Sequence, residues 1–274
     1  MMDRPPQPLL RVQHLGKSYV QRHGVTNAKF AVPAFADVSL TVELGTTLAI
    51  VGGSGAGKSS LARCLALLEK PEHGEIWFEG VELLSLARKA LLPMRRQIQM
   101  IYQDPASALN PRLTAGVLVA EPLLIQGQVT RAQRRIRSLE AMEQVGLSRK
   151  WEGKTAMEFS GGQRQRLAIA RALVLKPKLL ILDEALSNLD IANQEMILDL
   201  LSGLQAEHSL TYIHISHDLR LVSRFAAEVA VMHEGKIVEH GETVNLFADP
   251  KHAYTQELLA AMPSLESICE ERFA

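Results

Sequence analysis

Two clusters of residues in this sequence have the types and spacing to do chemistry on a phosphate. The first is Gly52-Gly53-Ser54-Gly55-Ala56-Gly57-Lys58-Ser59. Its glycines let the backbone bend so that successive N–H groups converge on one concavity, which a helix N-terminus completes with its positive dipole end. Lys58 then reaches the β- and γ-phosphates, and the Ser59 hydroxyl can ligate Mg²⁺. The second is Asp183-Glu184, at the end of the apolar run Leu179-Leu180-Ile181-Leu182. A carboxylate at a strand tip can hold the Mg²⁺ shell, and its neighbour can polarise an attacking water as general base.

The elements that must position these groups are legible around them. Thr47 to Val51 reads as a buried strand, and Ser60 to Leu68 has helical apolar spacing. Strand, glycine loop and helix in that order are the context this phosphate pattern requires. Leu9 to Tyr19 and Phe35 to Val42 read as strands, separated by a polar excursion without period from Val20 to Pro33. Gly74 to Gly80 and Gln97 to Tyr102 are further strands. From Pro111 to Gly146 the pattern turns helical (Leu113 to Gln126, then Arg131 to Val145), with a third helix from Gly162 to Lys176. Strand Leu179 to Leu182, helix Ile191 to Ala206, strand Leu210 to Ile215 and helix Asp218 to Ala226 follow. Ala230 to His233 and Lys236 to Glu239 flank Glu234-Gly235 as a hairpin, and two short helices are expected after it.

Composition excludes some classes. With 274 residues the chain is long enough for one large or two modest domains. Lys+Arg and Asp+Glu both number 30, so charge gives no argument for nucleic acid. Arg131 to Arg137 reads as a solvated helix face. Cys64 and Cys269 have no metal-type spacing and suit a reducing compartment. His214 and His217, three apart on an extended segment, point to opposite faces and do not form a metal pair. The start lacks the apolar core of a signal peptide, and no apolar run approaches the roughly 18 residues that span a bilayer. The expected location is cytoplasmic, with any membrane role supplied by a partner.

Phe159-Ser160-Gly161-Gly162-Gln163 offers a hydroxyl and helix N-terminal N–H groups as a second anion site. It resembles the signature of ATP-binding-cassette ATPases, although Leu is commoner there than Phe159. The other landmarks follow in that family's order over roughly residues 9 to 262. The resemblance implies an α/β fold of the P-loop NTPase cassette type, with a RecA-like mixed or parallel sheet core and an antiparallel β subdomain. A helical subdomain, about 105–175, is expected inserted in the core of a cassette spanning 1–262, with a short C-terminal helical extension over 245–274. Gly52, Ser54, Gly55, Gly57, Lys58, Ser59 and Ser60 are then the nucleotide-binding set. Tyr19 stacks on adenine, and Gln103 joins the Mg²⁺ held by Ser59 and Asp183. Glu184 is the general base, and His217 contacts the γ-phosphate. Ser160, Gly161, Gly162 and Gln163 serve the site of a second subunit in trans, and Asp190 lies in the loop across the dimer. ATP and Mg²⁺ are the implied cofactors.

Several features resemble the oligopeptide, dipeptide and nickel import branch: Tyr102-Gln103-Asp104-Pro105 onward, and His252-Ala253-Tyr254-Thr255 with Leu258 to Pro263. Ala185 and the segment Asp218 to Val222 look most like the second ATPase of nickel or metal–metallophore importers. The partners implied are a second, paralogous ATPase subunit, two membrane-spanning permeases and an extracytoplasmic substrate-binding protein. The chain itself would sit peripherally on the cytoplasmic face of the inner membrane. Many ATPases of this branch carry a C-terminal cysteine cluster for an iron–sulfur centre; beyond Met262 this sequence offers only Cys269, so none is expected. The competing reading is a cassette ATPase of repair or translation, which would show a long coiled coil, a second cassette or a basic surface. A GTPase would need an Asn-Lys-x-Asp segment, and a pure binding module would lack Glu184 and His217.

Overall fold

The structure, a computed structural model, describes residues 7–23, 28–104, 109–127 and 129–261; the side chains of 21–23 and 28–30 lie outside that description. It divides into two compact units, cut after Leu92 and after Leu210.

The first unit opens with β1 (Leu10–His23) and β2 (Ala28–Val42), followed by β3 (Thr47–Val51), α1 (Lys58–Leu65), β4 (His73–Phe78) and β5 (Val81–Glu82). One antiparallel sheet has the order β2-β1-β4-β5. Helix α2 (Arg88–Gln97) contains the cut between the units. The second unit continues with β6 (Ile98–Ile101), α3 (Ala115–Gln126), α4 (Arg131–Gln144), α5 (Gly161–Leu173), β7 (Leu179–Asp183) and α6 (Ile191–His208). Helices α3, α4 and α5 pack on one another, and β6 pairs parallel with β7. The chain then returns to the first unit with β8 (Thr211–Ser216), α7 (Leu219–Phe225), β9 (Glu228–His233), β10 (Lys236–Glu242), α8 (Thr243–Ala248) and α9 (Ala253–Ala260).

The second sheet of the first unit is mixed. Strand β3 lies between β8 and β9 and is parallel to both, while β10 pairs antiparallel with β9. Every residue of β3 and β8 is buried, as is every residue of β7 in the other unit. Strands covered on both faces have no polar side to show, so β3 and β7 read in the sequence as apolar runs, whereas β8 buries Thr211, His214 and Ser216 among its apolar residues.

Three stretches differ from expectation. Of the stretch Val20 to Pro33, residues 20–23 and 28–33 are paired rather than without structure: β1 and β2 continue as a ladder through Ser18↔Pro33, Val20↔Ala31 and His23↔Ala28. Backbone pairing supplies the hydrogen bonds, and Val20, 66% exposed, gives no buried apolar signal. Helix α2 leaves no apolar pattern in the sequence because none of its residues is buried, and Pro93 stands inside it. The two-residue strand β5 has no counterpart among the expected elements; the other described strands and helices lie within a few residues of their expected ends.

Candidate nucleotide site

In the first unit the glycine loop leaves the C-terminal end of β3 and enters α1 directly. Gly57, in the left-handed region at φ 99°, is the N-cap, and no side chain caps the helix. An α-helix does not satisfy the N–H groups of its own first turn, and such an end is suited to an anion. Two glycines are fixed by close approach. A Cβ on Gly52 would stand 2.1 Å from the Met232 carbonyl oxygen, and one on Gly57 would stand 2.2 Å from the Ala34 carbonyl oxygen. Lys58, 5% exposed, donates from Nζ to the carbonyl oxygens of Gly52 (2.8 Å) and Gly53 (2.9 Å). The ammonium is thus held at the loop by neutral acceptors that a phosphate oxygen can replace with a stronger, charge-assisted bond. Ser59 and Ser60 follow in the first turn.

Parallel pairing brings further groups to the same strand edge. Val51 is in register with Ser216 on one side and Val231 on the other. His217 therefore leaves β8 beside the start of the loop, and it is exposed. Its neighbours are pinned: Ser216 Oγ accepts from the Asp218 N–H (3.0 Å), and Asp218 caps α7. His214, by contrast, is buried and packs edge-on to Phe225 at 5.8 Å; burial pushes its imidazole down to about 4. Tyr19, on β1, donates its hydroxyl to Glu69 (2.6 Å) and contacts Ser60 Oγ (3.3 Å), which places it against the start of α1.

The sequence marks Tyr254 only as part of the tail motif His252-Ala253-Tyr254-Thr255, with no role. Its hydroxyl accepts from the Gly53 N–H at 2.7 Å, and its ring stacks on His233 with centroids 3.8 Å apart. Local sequence gave no signal for this contact, since the partners are 201 residues apart.

In the second unit the same logic repeats. Ile101 is in register with Leu182, so Gln103 and Glu184 emerge together beyond the strand ends. Gln103 Nε2 donates to Glu184 Oε2 at 2.9 Å, and Asn188 Nδ2 reaches the Gln103 carbonyl at 3.4 Å. Glu184 has φ 48°, a left-handed conformation that a non-glycine residue adopts at a cost. Asp183, the last residue of β7, is 5% exposed. A buried carboxylate calls for a cationic or hydrogen-bonding partner. Within this unit the Asp183 carboxylate and the Gln103 amide carbonyl are hard oxygen donors of the kind Mg²⁺ takes alongside phosphate. Among the described residues no cluster of three or more His, Cys, Asp or Glu could hold a metal alone.

The signature residues open α5. Ser160 Oγ accepts from the Gln163 N–H (3.3 Å), and Gln163 Oε1 accepts from the Ser160 N–H (3.0 Å), a reciprocal cap. Gly162 is buried: its Cβ would lie 2.5 Å from Asn193 Oδ1, whereas a Cβ on Gly161 would meet nothing within 4 Å. Gly161 is the open side of this helix start and Gly162 the packed side. Asp190 caps α6, accepting from the Asn193 N–H (2.9 Å) and Nδ2 (2.6 Å); these bonds hold its carboxyl below the usual range. Cys269 and Pro105 to Ala108 of the branch motifs lie outside the described residues, as does Pro263.

A family model described as "ABC transporter" matches residues 35–187. The dipeptide transport ATP-binding protein DppF of Escherichia coli K12 is 43% identical over 94% of this chain and 78% of that protein. The probable peptide ABC transporter ATP-binding protein y4tS of Sinorhizobium fredii is 47% identical, over 93% and 72%. Among solved structures, cbiO1 from Clostridium perfringens, part of the complex cbiONQ, superposes with a TM-score of 0.77 at 26% identity, covering 97% of this chain and 99% of that one. The ATP-binding cassette MJ0796, as a post-hydrolysis dimer with ADP and Pi, gives a TM-score of 0.74 at 28% identity, covering 85% and 98%. The chain therefore belongs to the ABC transporter family, with its P-loop NTPase cassette fold, and is an ATPase of that family acting on ATP with Mg²⁺.

Proposed function

We propose that this protein is the ATP-hydrolysing subunit of an importer for small peptides. The observation that carries the ATPase part is the uncapped start of α1 directly behind the glycine loop, with buried Lys58 held there. Gly52, Ser54, Gly55, Gly57, Lys58, Ser59 and Ser60 cradle the phosphates, and Tyr19 stacks on the base. Ser59, Asp183 and Gln103 hold Mg²⁺, which when bound neutralises phosphate charge. Glu184 takes a proton from the attacking water, and His217 orders the γ-phosphate. Ser160, Gly161, Gly162 and Gln163 close the site of a facing subunit, with Asp190 at the dimer contact. Positioning and charge neutralisation, more than covalent chemistry, lower the barrier. The ATP-binding cassette is read as residues 1–262, its helical subdomain as about 105–175 and its C-terminal extension as 245–274.

The cargo class is inferred from the relatives, whose names are dipeptide, peptide and glutathione import proteins. The metal preference of the sequence rests on Ala185 and Asp218 to Val222, so nickel or a metal chelate is the second reading. The partners are a second ATPase subunit, two permeases and an extracytoplasmic binding protein, with no nucleic acid. Among the described residues no helix is long and apolar enough to cross a membrane. By analogy with the importer relatives, the subunit is read as peripheral on the cytoplasmic face of the inner membrane. A repair or translation ATPase is not favoured by any of these relatives. The test is deletion of the gene followed by uptake of a labelled dipeptide and of radioactive nickel. Loss of peptide uptake with normal nickel uptake is expected. The reverse would establish the metal reading, and no transport change at all would reject the importer.

A further inference from the structure

The Gly52–Gly53 peptide unit is engaged at both ends. Its carbonyl oxygen accepts from Lys58 Nζ at 2.8 Å, and its N–H donates to Tyr254 Oη at 2.7 Å. Glycine on each side gives this unit more rotational freedom than any other residue pair would. When Lys58 turns to a phosphate, the Gly52 carbonyl loses that partner, and only the N–H side remains held.

We propose that Tyr254 is a positioning residue for nucleotide binding: its hydroxyl keeps the Gly52–Gly53 peptide plane in place when Lys58 leaves it for phosphate. The tyrosine is built into its position. Its ring stacks on His233, with 25° between the planes. Its own N–H donates to His252 Nδ1 (3.2 Å), and Glu239 accepts from the N–H groups of Lys251 (2.8 Å) and His252 (3.0 Å), anchoring the start of α9 to β10. Leu259 of α9 packs into the core cluster with Val51 and Val231, and Tyr254 and Leu258 lie against it. Helix α9 is thus a strut between the sheet that carries the loop and the loop itself. The fit is close, since a Cβ on Gly53 would lie 3.1 Å from the Tyr254 hydroxyl.

The inference rests on the reading of residues 52–59 as the phosphate loop, and Lys58→Ala is measured alongside to separate the two. On the full chain, Tyr254→Phe removes the hydroxyl and keeps the stacked ring. Its affinity for MgATP should fall about three- to tenfold, the size of one lost hydrogen bond. Hydrolysis at saturating MgATP should stay within about twofold of the parent. A merely structural role would instead lower the melting temperature and leave MgATP affinity unchanged; that result overturns the proposal. If Tyr254→Phe fails to fold, His233→Leu carries the test. It loosens the tyrosine and should weaken MgATP binding by a smaller factor, and unchanged binding there also overturns the proposal. Undiminished MgATP binding by Lys58→Ala would reject the reading of the loop itself.

Discussion

Gln103 Nε2 donates a hydrogen bond of 2.9 Å to Glu184 Oε2. The two residues are 81 positions apart and meet because β6 and β7 run parallel in register and end together. The bond orients a carboxylate whose backbone is already in the left-handed region. If Glu184 is the general base we propose, Gln103→Ala should lower turnover roughly tenfold, the scale of lost orientation at such a base, with ATP affinity much less affected. Steady-state hydrolysis across a range of MgATP concentrations separates the two parameters.

Gly162 is a packing requirement as much as a signature residue. Asn193 Oδ1 would stand 2.5 Å from an added Cβ, and the Asn193 side chain is tied to Asp190 through Nδ2. Gly162→Ala should destabilise the chain by about 1–3 kcal/mol through overpacking. Adding Asn193→Ala should recover most of that loss, because the obstructing oxygen is gone. Thermal or urea unfolding of both variants checks the prediction.

The sequence carried the strand–loop–helix order around Lys58 because each part has its own local chemistry: an apolar run, glycines, then helical spacing. The same holds for Asp183-Glu184 at the end of an apolar strand. What it could not carry were contacts made at a distance. Tyr254 against Gly53, Gly162 against Asn193 and Gln103 against Glu184 all depend on which strands and helices pack together in the folded chain. The Val20 to Pro33 ladder was missed for the complementary reason: it is held by backbone bonds that leave no mark on side-chain pattern.

Buried His214 predicts an acid-sensitive fold. Its ordinary value of 6.5 falls to about 4 in the folded chain because burial disfavours the charged ring. Between these values the unfolded chain binds the proton and the folded chain does not, so stability rises with pH. The contribution is fully present above about pH 6.5 and is lost progressively as pH falls towards 4, up to about 3 kcal/mol. His214→Leu should flatten the stability profile over that window, measured by urea unfolding at fixed pH steps. An unchanged slope would assign the acid sensitivity to other groups.

The most direct test of the account is nucleotide binding and hydrolysis measured on one preparation of Glu184→Gln. The amide keeps the side chain's size and can still contact Gln103, but it cannot take a proton from water. Binding of MgATP should match the parent within a few-fold, while phosphate release should fall by about a hundredfold or more. Hydrolysis at the parent rate with binding intact would contradict the assignment of Glu184 as the base.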